Sequence, residues 1–124
     1  MANFFQVATQ VGVLSSTGAP AVAVSLDVPP NTIAAGNYTF SWLAEIRLTA
    51  VVAGAFAQAD LFFMGVSVYQ TSFNDDQWHI VSGSGGAAFA ANATPLFQLI
   101  LSRQGNAATA EMRKGRLTFL QEST

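Results

Sequence analysis

Ionisable side chains are scarce in this chain. Of its 124 residues, 7 are Asp or Glu and 5 are Lys or Arg, so charged residues make up 10% of the sequence while hydrophobic residues make up 51%. An average soluble domain is about 25% charged. Because a small domain exposes a large share of its residues, its outside must consist largely of small and apolar side chains. We infer that neighbouring protein subunits cover part of this surface.

Cysteine is absent from the sequence, which excludes disulfide bonds and thiolate metal sites. A basic excess is absent too, because the formal net charge is −2. Such a charge creates no field that would attract a nucleic-acid backbone or an anionic membrane. We therefore expect protein partners, and neither nucleic acid nor a membrane.

Targeting signals and membrane spans are not predicted either. Residues 1–6 lack the basic region and the long apolar run of a signal peptide. The apolar stretch at 48–68 carries Gln58 and Asp60 in its middle, and a carboxylate at the centre of a bilayer is unfavourable. We expect neither a signal peptide nor a transmembrane segment.

Hydrophobic residues alternate with polar residues along much of the chain. Residues 22–28 and 38–49 show this period of two most clearly, which predicts strands with one face in a core. Pro29 and Pro30 end the first of them. The same reasoning predicts further strands at 60–69, 78–81, 96–102 and 111–120.

The segments between these strands carry turn-forming residues. We interpret residues 70–77 as a polar turn and the glycine-rich residues 82–86 as a flexible connection. The alanine-rich runs at 50–59 and 87–93 are also compatible with a helical turn, and the sequence does not decide between a turn and a strand there.

Strands joined by turns, with no amphipathic helix, predict an all-β fold. We expect an antiparallel β-sandwich of the jelly-roll type. The length suits one domain over residues 1–124, with an N-terminal arm at 1–8 that reaches a neighbour.

Residues 36–42 read Gly-Asn-Tyr-Thr-Phe-Ser-Trp, a G-x-Y-x-F-x-W pattern. This pattern resembles the central strand of the tumour-necrosis-factor and complement globular-head superfamily, in which the glycine ends a turn and the alternating aromatics fill the core. The chain departs from the family at Thr94 and Pro95, where the family has a Gly-Asp turn. The resemblance implies a jelly roll that assembles as a homotrimer, as in receptor ligands of animals and structural or attachment heads of viruses and bacteria.

Several apolar side chains are predicted on the opposite side of a strand from its main apolar face. Such residues are interface candidates, although a thick monomer core would also contain them. The two phenylalanines of the N-terminal arm are added as anchors on a neighbour. The predicted oligomer interface consists of Phe4, Phe5, Leu43, Phe62, Met64 and Leu120.

His79 is the only histidine, so a Ser-His-Asp triad or a histidine metal site would depend on it alone. We interpret it as hydrogen-bonded to the nearby Asp75 or Asp76. Residues 74–76 offer oxygen ligands for calcium, but no calcium-loop pattern accompanies them. We predict no enzyme activity, no cofactor and no metal ion, and a hydrolase based on His79 is the third-ranked alternative.

Arg113, Lys114 and Arg116 form the basic cluster of the sequence, which suits either a solvated face or docking against an acidic partner surface. Trp78 is the candidate for ligand binding. Low charge, inferred association and the family resemblance lead to the hypothesis of a virion protein, such as a virus or bacteriophage capsid cement or decoration protein, assembled in the host cytoplasm. The alternative is an attachment or carbohydrate-binding module in which an exposed Trp78, Tyr69 or Trp42 stacks on a sugar ring.

Overall fold

The computed structural model describes residues 4–50, 53–105 and 108–122. Strands account for most of this part of the chain, and none of its residues is helical. The strands are β1 (Phe5–Thr9), β2 (Val13–Ser16), β3 (Ala21–Asp27), β4 (Gly36–Thr49), β5 (Phe56–Phe63), β6 (Val66–Phe73), β7 (His79–Phe89), β8 (Leu96–Gln104) and β9 (Thr109–Gln121). They pair antiparallel in two sheets, which confirms the predicted β-sandwich.

The two sheets have the strand order of a jelly roll. One sheet has five strands in the order β1-β9-β4-β7, with β2 also on β9, and the other has four in the order β3-β8-β5-β6. β1 lies opposite residues 116–120 of β9, and β2 lies opposite residues 110–113. β1 and β2 therefore act as one interrupted strand, which leaves two layers of four strand positions each.

The core lies between the two sheets and contains the predicted aromatic residues. In β4, the period of two directs Tyr38 and Trp42 inward, where they are 0% and 9% exposed. Tyr38 stacks on Phe119 of β9 with ring centroids 4.8 Å apart, and Phe97 of β8 meets Phe119 from the opposite sheet at 5.6 Å. The aromatic pattern at 36–42 thus fills the core as predicted.

The prediction of one strand at 60–69 is wrong, because the chain reverses in the middle of this segment. β5 ends at Phe63, and Val66 of β6 lies directly opposite it. Between them, Met64 and Gly65 have φ angles of 52° and 84°. Two consecutive positive φ angles are what a tight two-residue hairpin turn requires.

One prediction about the connecting segments is also wrong, and the structure decides one alternative that the sequence left open. The turn predicted at 70–77 begins later, because β6 continues to Phe73. Of the alanine-rich runs, residues 56–59 belong to β5 and residues 87–89 to β7, so neither forms a helical turn there. Residues 51–52 lie outside the described residues.

The glycine-rich segment at 82–86 is the centre of β7, so the prediction of a flexible connection is wrong. Its glycines make room for aromatic rings of the neighbouring strand β4. A Cβ atom added at Gly83 would lie 2.7 Å from Cε2 of Trp42, and one at Gly85 would lie 2.7 Å from Cζ of Phe40. Glycine is needed here for space, and the segment is a regular strand.

The N-terminal segment enters the chain's own sheet. β1 begins at Phe5 and pairs with β9, and the carbonyl of Phe4 accepts a hydrogen bond from the Gln121 amide at 2.9 Å. Residues 1–3 of the predicted arm lie outside the described residues.

Candidate protein interface

The outer face of the five-stranded sheet carries three of the residues predicted at an interface. Directly opposite residues of antiparallel strands share one face of the sheet. The register places Phe5, Leu120 and Thr39 in one row of this face. Leu43 lies on the same face, opposite Arg116. Three predicted residues from three strands therefore belong to one surface.

These side chains form an apolar surface with little charge. Phe5 is 55% exposed, Val7 42%, Leu43 43% and Leu120 41%. Sequence reasoning missed Val7, although a period of two from Phe5 places both on the same side of β1. We call this surface the outer patch; it consists of Phe5, Val7, Thr39, Ser41, Leu43, Thr118 and Leu120.

The other predicted interface residues lie elsewhere. Phe4 packs edge-on against the core residue Phe119, with ring centroids 6.1 Å apart. Phe62 is partly buried on the outer face of the four-stranded sheet. Met64 is 55% exposed at the turn between β5 and β6. The structure therefore does not bring these three residues into the outer patch.

A cluster of ion pairs occupies the other half of the same outer face. Arg47 Nε donates to Glu111 Oε1 at 2.8 Å, and Arg113 Nε donates to Glu45 Oε1 at 2.6 Å. Lys114 Nζ lies 3.5 Å from the same oxygen of Glu45. The hydrogen bond from Arg113 is the main reason that the pKa of Glu45 lies below its ordinary value. We call these five residues the charged cluster.

Trp78, the predicted ligand-binding aromatic, lies within the charged cluster. The guanidinium carbons of Arg47 and Arg113 are 4.4 and 4.0 Å from its ring centroid. At these distances the ring attracts both cations through its π electrons. The indole is partly buried and helps to hold the two arginines in position.

The three basic residues predicted to dock a partner have different surroundings. Arg113 and Lys114 both contact Glu45. Arg116 is exposed and borders the outer patch opposite Leu43. A shallow hollow at this border is lined by Ser41, Trp42, Leu43, Arg116 and Thr118.

His79 fastens the loop that precedes β7. Its ring stacks on Phe73 with centroids 4.1 Å apart, and its Nε2 lies 2.6 Å from Asp75 Oδ1. This hydrogen bond is the main reason that the pKa of Asp75 lies below its ordinary value. The Asp75 carbonyl also accepts a hydrogen bond from the Leu48 amide at 2.8 Å. His79 is thus paired with a neighbouring carboxylate, as predicted.

Asp60 lies at the centre of the outer face of the four-stranded sheet and is only 5% exposed. Its carboxylate accepts hydrogen bonds from Gln58 Nε2 at 2.9 Å and from Ser67 Oγ and Gln70 Nε2 at 3.0 Å. Three neutral donors therefore satisfy a buried acidic group. A single carboxylate inside an apolar run was the sequence signal that could have identified this cluster.

Within residues 4–50, 53–105 and 108–122, no three His, Asp or Glu side chains are grouped so that they could hold a metal ion. The same part of the chain contains no helix with the length and apolar character needed to cross a membrane.

Neither a protein-family model nor a curated protein sequence matches this chain. Solved structures do match its fold. Dimeric latent PorU from Porphyromonas gingivalis gives a TM-score of 0.56 at 8% identity, over 98% of this chain and 13% of PorU. A VP2 subviral particle of infectious bursal disease virus gives 0.53 at 12% identity, over 97% of this chain and 33% of VP2. The tumour-necrosis-factor protein Eiger from S. frugiperda gives 0.49 at 10% identity, over 96% and 93% of the two chains.

This chain therefore spans a third or less of the PorU and VP2 chains. Its structural neighbours include a tumour-necrosis-factor protein and virus-particle proteins, at low similarity. Identities this low show a shared sandwich fold and nothing about activity or partners.

Proposed function

We propose that this chain is a non-enzymatic structural protein that assembles as a symmetric oligomer in a virus or bacteriophage particle, as a capsid cement or decoration protein. Its partners would be further copies of itself and other virion proteins. The observation that supports the proposal best is the outer patch, where four large apolar side chains are exposed on one sheet face. Exposed apolar surface of this kind is typical of protein contacts.

The composition of the outer face fits an interface with an apolar centre and a polar rim. The outer patch contains no charged residue, and its central hydroxyls, Ser41 and Thr118, are hydrogen-bonded to each other. Covering them would therefore leave no hydroxyl without a partner. The charged cluster lies beside the patch, as rim residues do in protein interfaces.

The size of the patch indicates that it is the centre of a larger contact. Three strands about 4.8 Å apart, with about five residues each at 3.4 Å per residue, cover roughly 240 Å². A stable interface buries about 800 Å² on each partner. The rest of the contact would come from the charged cluster and from the strands at the edges of the sheet.

The VP2 comparison supports the proposal at the level of the fold. That chain comes from a subviral particle, and it shares the sandwich of this chain at a TM-score of 0.53. A jelly-roll sandwich is thus suited to a role in a virus particle. A homotrimer is the oligomer that we propose, following the sequence resemblance.

The test is the oligomeric mass of purified protein carrying Leu43→Lys. This change places an ammonium group in the outer patch at a position that is 43% exposed, so the fold should remain intact while self-association is lost. The matched control is Val11→Lys, at a loop position that is 95% exposed. Native mass spectrometry should show a trimer, or a larger assembly built from trimers, for the wild type and the control, and loss of this trimeric association for Leu43→Lys.

Circular dichroism and the melting temperature establish that both variants are folded. A wild-type protein that stays monomeric at micromolar concentration would contradict the proposal. So would a Leu43→Lys variant that assembles as well as the Val11→Lys control. Co-sedimentation of the wild type with assembled virus particles then tests the virion assignment.

A further inference from the structure

β7 is a long edge strand with one side free of any neighbour. It pairs with β4 over residues 79–89, and no strand within the described residues lies along its other side. None of the described backbone hydrogen bonds outside the strand ladders involves this segment. On the free side, every second residue therefore presents an amide N–H and a carbonyl to solvent.

β7 also lacks the features that usually protect an edge strand from pairing. Natural edges are short, twisted by bulges, or interrupted by proline or lysine. β7 has eleven residues, contains no Pro, Lys, Arg, Asp or Glu, and pairs with β4 in an unbroken register. Its free side can accept a further strand without displacing a charge.

The aromatic core extends beneath β7 itself. The Trp42 ring lies against Gly83, and the Phe40 ring lies against Gly85. Trp42 is 9% exposed, and its indole Nε1 is buried without a hydrogen-bond partner. An aromatic layer with an unpartnered donor therefore lies beneath this strand.

We propose that β7 pairs antiparallel with β7 of a second copy around a two-fold axis at Ser84, which joins two five-stranded sheets into one. Ser84 is the midpoint of β7, so this axis pairs the strand over its full length. The pairs are Ser84 with Ser84, Gly83 with Gly85, Ser82 with Gly86, Val81 with Ala87, Ile80 with Ala88, and His79 with Phe89.

The side chains fit this register on both faces. Each pair joins residues that point to the same side of the sheet, as an antiparallel ladder requires. The large outward side chain of Ile80, which is 66% exposed, lies opposite Ala88 of the second copy. The inward Val81 lies opposite Ala87. Bulky residues thus meet small ones, and no like charges meet across the axis.

The absence of charge also favours a second copy over a charged partner segment as the occupant. An acidic or basic peptide would gain no ion pair along β7, whereas self-pairing suffers no repulsion. The joined sheet would place two outer patches on one continuous face, which doubles the apolar surface available to other virion proteins. In this respect the inference extends the proposed function, although the edge contact itself does not require it.

Cysteine cross-linking tests the contact, because the chain has no cysteine of its own. In Ser84→Cys, the two thiols would face each other across the axis with Cβ atoms about 4.5–5.5 Å apart, close to disulfide geometry. The matched control is Ser82→Cys, which is exposed on the same face of β7. Its two thiols would be four residues out of register, or about 13 Å apart.

Mild oxidation should convert Ser84→Cys to a covalent dimer and leave Ser82→Cys almost entirely uncoupled. Equal cross-linking of the two variants, or none in either, would overturn the proposal. Ser84→Lys provides a second readout, because it places two ammonium groups directly opposite each other. It should weaken self-association at the edge at least about tenfold, and unchanged association would also contradict the pairing.

The edge contact and the proposed function can fail separately. The cross-link is measured in the Leu43→Lys background, where the outer patch carries a charge. A cross-link at position 84 in that background supports the edge contact even if the outer patch has no role. If Leu43→Lys loses the patch association and no cross-link forms at position 84, the result supports the outer patch and contradicts the edge contact.

Discussion

The strongest test of the fold is the substitution Gly83→Ala. Gly83 lies in β7 directly over the indole of Trp42, and a Cβ atom there would lie 2.7 Å from Cε2 and 2.9 Å from Cη2 of that ring. These atoms belong to a rigid ring that is 9% exposed and has little room to move. The methyl group must therefore push the ring or the edge strand out of place.

Overpacking of a core by a methyl group costs about 1–3 kcal/mol. Replacing glycine by alanine also restricts the unfolded chain, which returns about 0.4–1 kcal/mol where the backbone suits alanine. We expect Gly83→Ala to lose on balance about 1–2 kcal/mol of unfolding free energy. For a domain of this size, that loss lowers the melting temperature by roughly 4–8 °C.

The matched control is Gly86→Ala in the same strand. There an added Cβ atom would meet only the Tyr38 carbonyl oxygen, at 3.5 Å. This variant should be as stable as the wild type or slightly more stable. Urea unfolding and differential scanning calorimetry measure both variants, and equal stability would refute the packing of Trp42 against Gly83. Trp42→Phe shortens the ring, so it should reduce the loss caused by Gly83→Ala in the double variant.

Two further predictions concern the carboxylates. The hydrogen bond from Arg113 lowers the pKa of Glu45 below its ordinary value. The stabilisation from this contact is therefore present above the ordinary pKa and is lost as the pH falls through the lower, folded-state pKa. Glu45→Gln should therefore be less stable than the wild type at pH 7 and equal to it in strong acid. Melting temperatures measured over a pH series test this, and a difference between the two proteins that persists in acid would contradict it. Asp60→Leu should lose about 1–3 kcal/mol of unfolding free energy, measured by urea unfolding, because three donors lose their acceptor. The exposed control Asp27→Leu should lose little stability. Equal losses in the two variants would contradict the role of the hydrogen bonds to Asp60.

The sequence predicted the fold class and most strand positions because the period of two is strong where one face is buried. β4 is the clearest case, since its aromatic residues point inward as the G-x-Y-x-F-x-W pattern implies. The outer patch was predictable in part for the same reason: Leu43 and Leu120 lie on the outward side of their strands. Their proximity depends on the pairing of β9 with both β1 and β4, which no single strand encodes.

The wrong strand predictions arose where one local sequence pattern is compatible with two structures. Residues 60–69 are apolar throughout, so periodicity could not reveal the reversal at Met64 and Gly65. Methionine is an unusual residue for a positive φ angle, and the turn formed there because β5 and β6 pair on both sides of it. Tertiary pairing, rather than turn propensity, fixed this hairpin.

The glycines of β7 show how far the meaning of a residue depends on its neighbours. In isolation, Ser-Gly-Ser-Gly-Gly is typical of a flexible connection because glycine has no preferred conformation. Beside β4, however, Gly83 and Gly85 lie over two large rings, and burial of those rings stabilises an extended backbone. The missing side chains thus leave the centre of this edge strand without charge or bulk. The low charge of the sequence first suggested that other subunits cover part of the surface, and β7 is one place where this low charge is found. The small residues that make room for Trp42 and Phe40 also leave β7 free to pair with another strand.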